Sequence, residues 1–146
     1  MAALIHFAHP LELVFIRYEG HHTAQDADRI YDALEGTLSE APYSKFFVDL
    51  SGVTSSALCP DDLRHLQRRL TVCASARRQQ GPSPLMMAYF APTAPAQQVG
   101  RICTGRWNLH PDFISATSHL RQDCAILLNV PEAALAELDT LPYQPV

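Results

Sequence analysis

The sequence predicts an α/β domain: a mixed, mostly parallel sheet of about five strands flanked by helices. Apolar runs of strand length alternate with segments whose apolar residues recur at helical spacing. Two of the runs, Phe46–Leu50 and Leu85–Phe90, are nearly continuous, as strands covered on both faces require. Pro and Gly fall between the periodic segments rather than inside them. At 146 residues the chain makes one domain, residues 1–146, with no internal repeat or low-complexity tract.

The elements follow in order. Residues 3–8 and 11–19 read as two strands separated by His9-Pro10, because Pro10 cannot continue a ladder. In the second, Leu13, Phe15 and Arg17 share one face and Val14, Ile16 and Tyr18 the other. So short a link predicts an antiparallel hairpin. Thr23-Ala24-Gln25-Asp26 has the form of a helix-start box, followed by Ala27, Ile30, Tyr31, Leu34 and Leu38 at helical spacing. Pro42 closes the linker beyond that helix.

Phe46–Leu50 is the next strand, one acid (Asp49) within it, and residues 51–59 read as a loop of small and hydroxyl side chains. Pro60, Asp61 and Asp62 suit the first turn of a helix. Leu63, Leu66, Leu70 and Cys73 form its inward stripe, it ends near Arg78, and Gln79–Pro82 turns the chain. Leu85–Phe90 is a strand, residues 95–107 a helix carrying Val99, Ile102 and Cys103, and Phe113–Thr117 a last strand. Residues 119–128 and 131–139 read as two terminal helices around Asn129-Val130-Pro131. The order β-β-α-β-α-β-α-β-α(α) implies helical crossovers between parallel strands.

Composition narrows the function classes. A net charge of -4 argues against a nucleic-acid binder. No apolar run approaches the roughly 20 residues of a membrane span. The start, MAALIHFAHPLELVF, has neither a basic leader nor a cleavage site, so the expected location is the cytoplasm. Cys59, Cys73, Cys103 and Cys124 are scattered without a C-x-x-C pair, and read as reduced, small apolar residues rather than zinc ligands.

Catalytic and cofactor motifs are missing. A phosphate-binding loop needs a glycine-rich run closed by Lys-Ser/Thr, but only Gly52 is near and the sole lysine, Lys45, precedes the strand. There is no G-x-S-x-G elbow. Ser55, His65 and Asp49 make a triad only on paper, since triads are defined by geometry. His21 and His22 are neighbours before a helix and read as exposed turn residues rather than as metal ligands with Asp26. His110 and His119 have no partner in the pattern, and His110-Pro111 reads as a turn. No cofactor is expected.

Val48-Asp49-Leu50-Ser51-Gly52-Val53-Thr54, followed by a short loop and a helix, resembles the V-x-D-L-S-G-V strand of the STAS domain, typified by bacterial anti-sigma-factor antagonists. The element order is also similar to the SpoIIAA-like branch, whose shape resembles CRAL-TRIO lipid-binding domains. Val99-Gly100-Arg101 and "RQDCAILLNVPE" look like degenerate counterparts of that branch's later helices. The likeness in order covers nearly the whole chain. It departs at one place. Phosphorylated antagonists carry D-S-S-G at the loop-to-helix junction, where this chain has Ala57-Leu58-Cys59-Pro60. The acceptor position is Leu58 or Cys59, and Ser55 and Ser56 lie a few residues earlier.

The resemblance implies a non-enzymatic regulatory or protein-interaction module of bacterial signalling, without the usual phospho-acceptor serine. The loop lies where a central parallel strand ends and a helix begins, a usual place for ligands in open α/β sheets. Its binding residues for a partner or anion would be Ser51, Thr54, Ser55, Ser56 and Cys59. Arg64 and Arg68, four apart on the following helix and near Arg69, Arg77 and Arg78, would join them. The loop APTAPAQQVG, residues 91–100, falls at the same sheet end and completes the expected binding region. The alternative function is a carrier of a small apolar, lipid-like ligand, with a pocket at Met87, Phe90 and Trp107 near Met86. A protein partner is expected, and the edge offered by the first two strands would serve a homodimer.

Overall fold

The computed structural model describes residues 2–38, 43–78 and 84–142. Five strands form one sheet in the order β1-β2-β3-β4-β5. β1 (Ala2–Ala8) pairs antiparallel with β2 (Leu13–His22), and β3 (Lys45–Ser56), β4 (Leu85–Phe90) and β5 (Phe113–Ser118) follow parallel to β2. The helices are α1 (Ala24–Leu38), α2 (Pro60–Arg78), α3 (Ala94–Trp107), α4 (Arg121–Leu128) and α5 (Glu132–Leu138). This is the expected α/β architecture with a mixed, mostly parallel sheet.

The hairpin turns through a short 3-10 segment, His9–Leu11, in which Pro10 takes an early position and Glu12 closes at φ 52. The second strand therefore starts at Leu13 rather than at residue 11. Each parallel strand lies beside its predecessor, and right-handed crossovers in one direction put their helices on one face. α1, α2 and α3 accordingly share a core with Val14, Ile16, Tyr18, Phe46, Val48, Met87 and Tyr89. α4 and α5 cover the other face over Leu13, Phe15, Phe47, Ala88 and Phe90. The two faces of β2 are divided as its alternation predicts.

The N-terminus of α1 follows its box. Thr23 Oγ1 accepts from the Asp26 backbone N–H at 3.3 Å, and Asp26 Oδ2 accepts from the Thr23 N–H at 3.2 Å. Asp49, the acid in an apolar strand, meets Arg17, its register partner on β2. Arg17 Nε lies 3.4 Å from Asp49 Oδ2, both side chains nearly buried. Arg17 also donates to the Leu138 carbonyl at 3.3 Å, which ties α5 to the sheet. Gly100 is needed for a close approach: a Cβ there would lie 2.5 Å from Thr117 Cγ2 on β5.

Two expectations are corrected. β3 does not end at Leu50 but continues to Ser56, so the hydroxyl-rich segment is strand, and the connection to α2 is only Ala57–Cys59. Pairing explains this. β4 stops opposite Asp49, whereas β2 continues along β3 to the His22–Ser56 pair. One side of the extension is thus laddered and the other solvated, which suits Ser51, Thr54, Ser55 and Ser56. Second, β2 runs to His22, so His21 and His22 belong to a strand, and His22 is buried rather than an exposed turn residue. The opening hairpin does offer an edge, through β1; β5 is the other edge and β2 lies inside the sheet. The Gln79–Pro82 turn and Pro42 lie outside the described residues, as do the side chains of Leu38, Arg77 and Arg78. Among the described residues no helix is long and apolar enough to cross a membrane.

Candidate functional site

At the carboxyl end of the sheet, the extension of β3 faces the start of α3. Between them is a cleft of about 460 Å³, lined by Thr54, Ser55, Ser56 and Leu58 on one side. Ala94, Pro95, Gln98, Val99 and Ile102 line the other. The structure therefore brings together the two segments singled out in the sequence, the serine stretch and residues 91–100. α3 is started by Thr93, whose side chain accepts from the Ala96 N–H, and Pro95 sits where its missing N–H costs nothing.

The other expected binding residues are not in its lining. Ser51 is exposed, and its N–H donates to Asp49 Oδ1 at 2.9 Å. Cys59 is exposed at the start of α2, where its N–H donates to Asp62 Oδ2 at 3.0 Å. That backbone bond holds the Asp62 carboxyl below its usual range. A carboxylate thus already occupies the N-terminus of α2, which weighs against an anion there. Arg64 is exposed and paired with Asp61 one turn earlier, and Arg68 is exposed.

Arg69 is spent inside the fold. It bridges α2 to α1 through Asp28 at 2.9 Å, Asp32 at 2.8 Å and Glu35 at 2.9 Å. Partial burial opposes ionisation of Asp28, but hydrogen bonds from Arg69 and His65 outweigh it and keep that carboxyl below its usual range.

The paper triad is not assembled. His65 Nε2 meets Asp28 at 2.8 Å, and Asp49 is held by Arg17. Ser55 instead meets His21, with Oγ 2.6 Å from Nδ1. The sequence reads His21, with His22, as an exposed turn residue, whereas the structure puts it on β2. The only signal for it was strand register, and that depends on how far β2 runs.

Next to it, His22 is 3% exposed and packs edge-on against Tyr18, ring centroids 4.5 Å apart. Burial pushes the His22 imidazole down to about 4; Asp26 partly opposes this and His21 adds to it. His22 and Val99 line an internal void of only about 20 Å³ with Tyr18, Tyr31, Tyr89, Cys103 and Trp107. Trp107 Nε1 donates to Tyr89 Oη at 2.7 Å. Burial raises the Tyr89 hydroxyl well above its ordinary value, so it stays protonated.

The apolar pocket expected at Met87, Phe90 and Trp107 is not formed. Met87 and Trp107 belong to the core under α1, α2 and α3, while Phe90 faces α4 on the opposite side of the sheet. The larger apolar concavity is elsewhere. A groove of about 680 Å³ runs between the end of β1 and α5, lined by Phe7, Ala8, Pro10, Leu11, Leu138 and Leu141 among others. Among the described residues no group of His, Cys, Asp and Glu is placed to hold a metal ion. Cys73, Cys103 and Cys124 are buried free thiols, and burial pushes Cys103 and Cys124 up to about 12. No family model matches this sequence, and no curated protein matches it.

Proposed function

We propose that this protein is a STAS-like, non-enzymatic module that regulates by binding another protein at the cleft between the end of β3 and the start of α3. The observation that carries this reading is the composition and placement of that cleft. It opens at the carboxyl end of a parallel sheet, where α/β folds present ligand-contacting groups. Its wall of three hydroxyl side chains faces an apolar wall of Pro95, Val99 and Ile102. Thr54, Ser55, Ser56 and Gln98 are exposed, as a docking surface requires. The element order and the Val48–Thr54 stretch support the STAS-like assignment and, with it, a role in bacterial signalling.

A second reading, a carrier of a small apolar ligand, is favoured by the β1–α5 groove, whose volume falls within the usual range for ligand sites. Native mass spectrometry of the protein purified from its own cells separates the two. The interaction module predicts a complex with another protein that Thr54→Arg and Gln98→Arg dissociate. A small molecule released on denaturation, with binding unaffected by those substitutions, would replace the first reading with the second.

A further inference from the structure

β2 is irregular where it passes the last residues of β3. Its register with β3 shifts between Gly20 and His21, and Gly20 takes φ 74, a conformation that glycine adopts without strain. The extra residue is Thr54 on β3, a bulge of the kind that re-aims the side chains beyond it. Beyond it Ser55 meets its register partner His21 at 2.6 Å. The backbone holds both strands at this point: Ala57 N–H donates to the His22 carbonyl at 2.9 Å, and the buried His22 ring anchors the end of β2 against Tyr18. The Ser–His pair therefore stands on laddered strand, not on a free loop. Ser55 also lines the cleft.

We propose that Ser55 is a nucleophile activated by His21, and that it accepts an acyl group from a small carboxylic ester entering the cleft. In the tautomer with its proton on Nε2, the imidazole accepts the Ser55 hydroxyl proton at Nδ1. Oγ bonds to the ester carbonyl carbon, the bond from that carbon to the alcohol oxygen breaks, and the imidazolium returns the proton to the departing alcohol. Ser55 is left as an ester.

The surroundings favour an acyl over a phosphoryl donor. Among the described residues no Lys or Arg lines the cleft, and Asp61 and Asp62 stand at the start of the adjacent helix. A phosphoryl group needs cations around it. An uncharged ester needs an apolar wall, and Leu58, Pro95, Val99 and Ile102 supply one. Among the described residues no carboxylate is hydrogen-bonded to His21, so the full triad that supports rapid turnover is not built. The reaction is a single acylation per chain, in the protein whose cleft is free.

The test uses p-nitrophenyl acetate and the full chain carrying Cys59→Ser, which removes the exposed thiol as a competing nucleophile. Nitrophenolate release is followed with time, and the acetyl group is located by peptide mass mapping. The expected result is a burst of one nitrophenolate per chain and a single acetyl group on Ser55. Ser55→Ala abolishes the burst, and His21→Gln slows it about 100-fold, the scale of general-base catalysis. Both side chains are exposed, so both variants keep the fold. Acetylation of Lys45 or another residue with Ser55 unmodified overturns the proposal. So does acetylation of Ser55 at an unchanged rate in His21→Gln.

Discussion

His22 makes folding stability depend on pH in a way that can be calculated. Its imidazole is pushed from 6.5 to about 4 by burial, so the folded protein holds it neutral while the unfolded chain protonates it near 6.5. The unfolded state therefore binds the proton first, and stability falls as pH drops through 6.5. The loss levels off near 4, where the folded state also protonates. A depression of this size corresponds to a full loss of about 3 kcal/mol, and to about 2 kcal/mol by pH 5. Burial dominates the shift, Asp26 opposes it and His21 adds to it.

The assay is urea unfolding at pH 7 and pH 5 for the wild type and for His22→Gln, which cannot titrate. The wild type should lose about 2 kcal/mol more than the variant over that interval. His22→Phe, which preserves the edge-on packing on Tyr18, should reproduce the flat profile. The ring protons of His22 should titrate near 4 in the folded protein. Equal pH-dependent losses in all three proteins, or titration of the ring near 6.5, would refute the argument that burial holds His22 neutral.

Three further outcomes follow from the packing. Asp49→Ala leaves Arg17 buried without its main partner and should cost about 3 kcal/mol in urea unfolding, whereas Arg17→Met with Asp49→Leu should recover most of it. A double variant no more stable than Asp49→Ala would count against that. Gly100→Ala drives a methyl group to within 2.5 Å of Thr117 Cγ2, with an expected loss of about 1–3 kcal/mol by the same assay. Thr117→Ala should relieve it in the double variant. Thr23→Ala removes the cap at the start of α1 and should cost about 1 kcal/mol, seen as a lower urea midpoint at unchanged slope.

What sequence alone determined is local. The alternation of Leu13, Phe15 and Arg17 with Val14, Ile16 and Tyr18 divides β2 between two cores because strand side chains alternate whatever lies around them. The Thr23–Asp26 box and the Leu85–Phe90 strand are likewise readable, since their partners or periodicity lie within a few residues. The same alternation puts Met87 and Phe90, three apart, on opposite faces, a signal against a shared pocket that was available in the sequence. The tertiary structure decided the rest. Ser51–Ser56 is strand because the tail of β2 ladders it, a pairing between residues more than thirty apart in the chain. Arg17 found Asp49, Arg69 found three carboxylates of α1, and Ser55 found His21 rather than His65. A polar side chain has no periodicity that announces its partner. Its partner is fixed by which strands and helices pack side by side, and so the Ser55–His21 contact and the cleft beside it exist only in the folded chain.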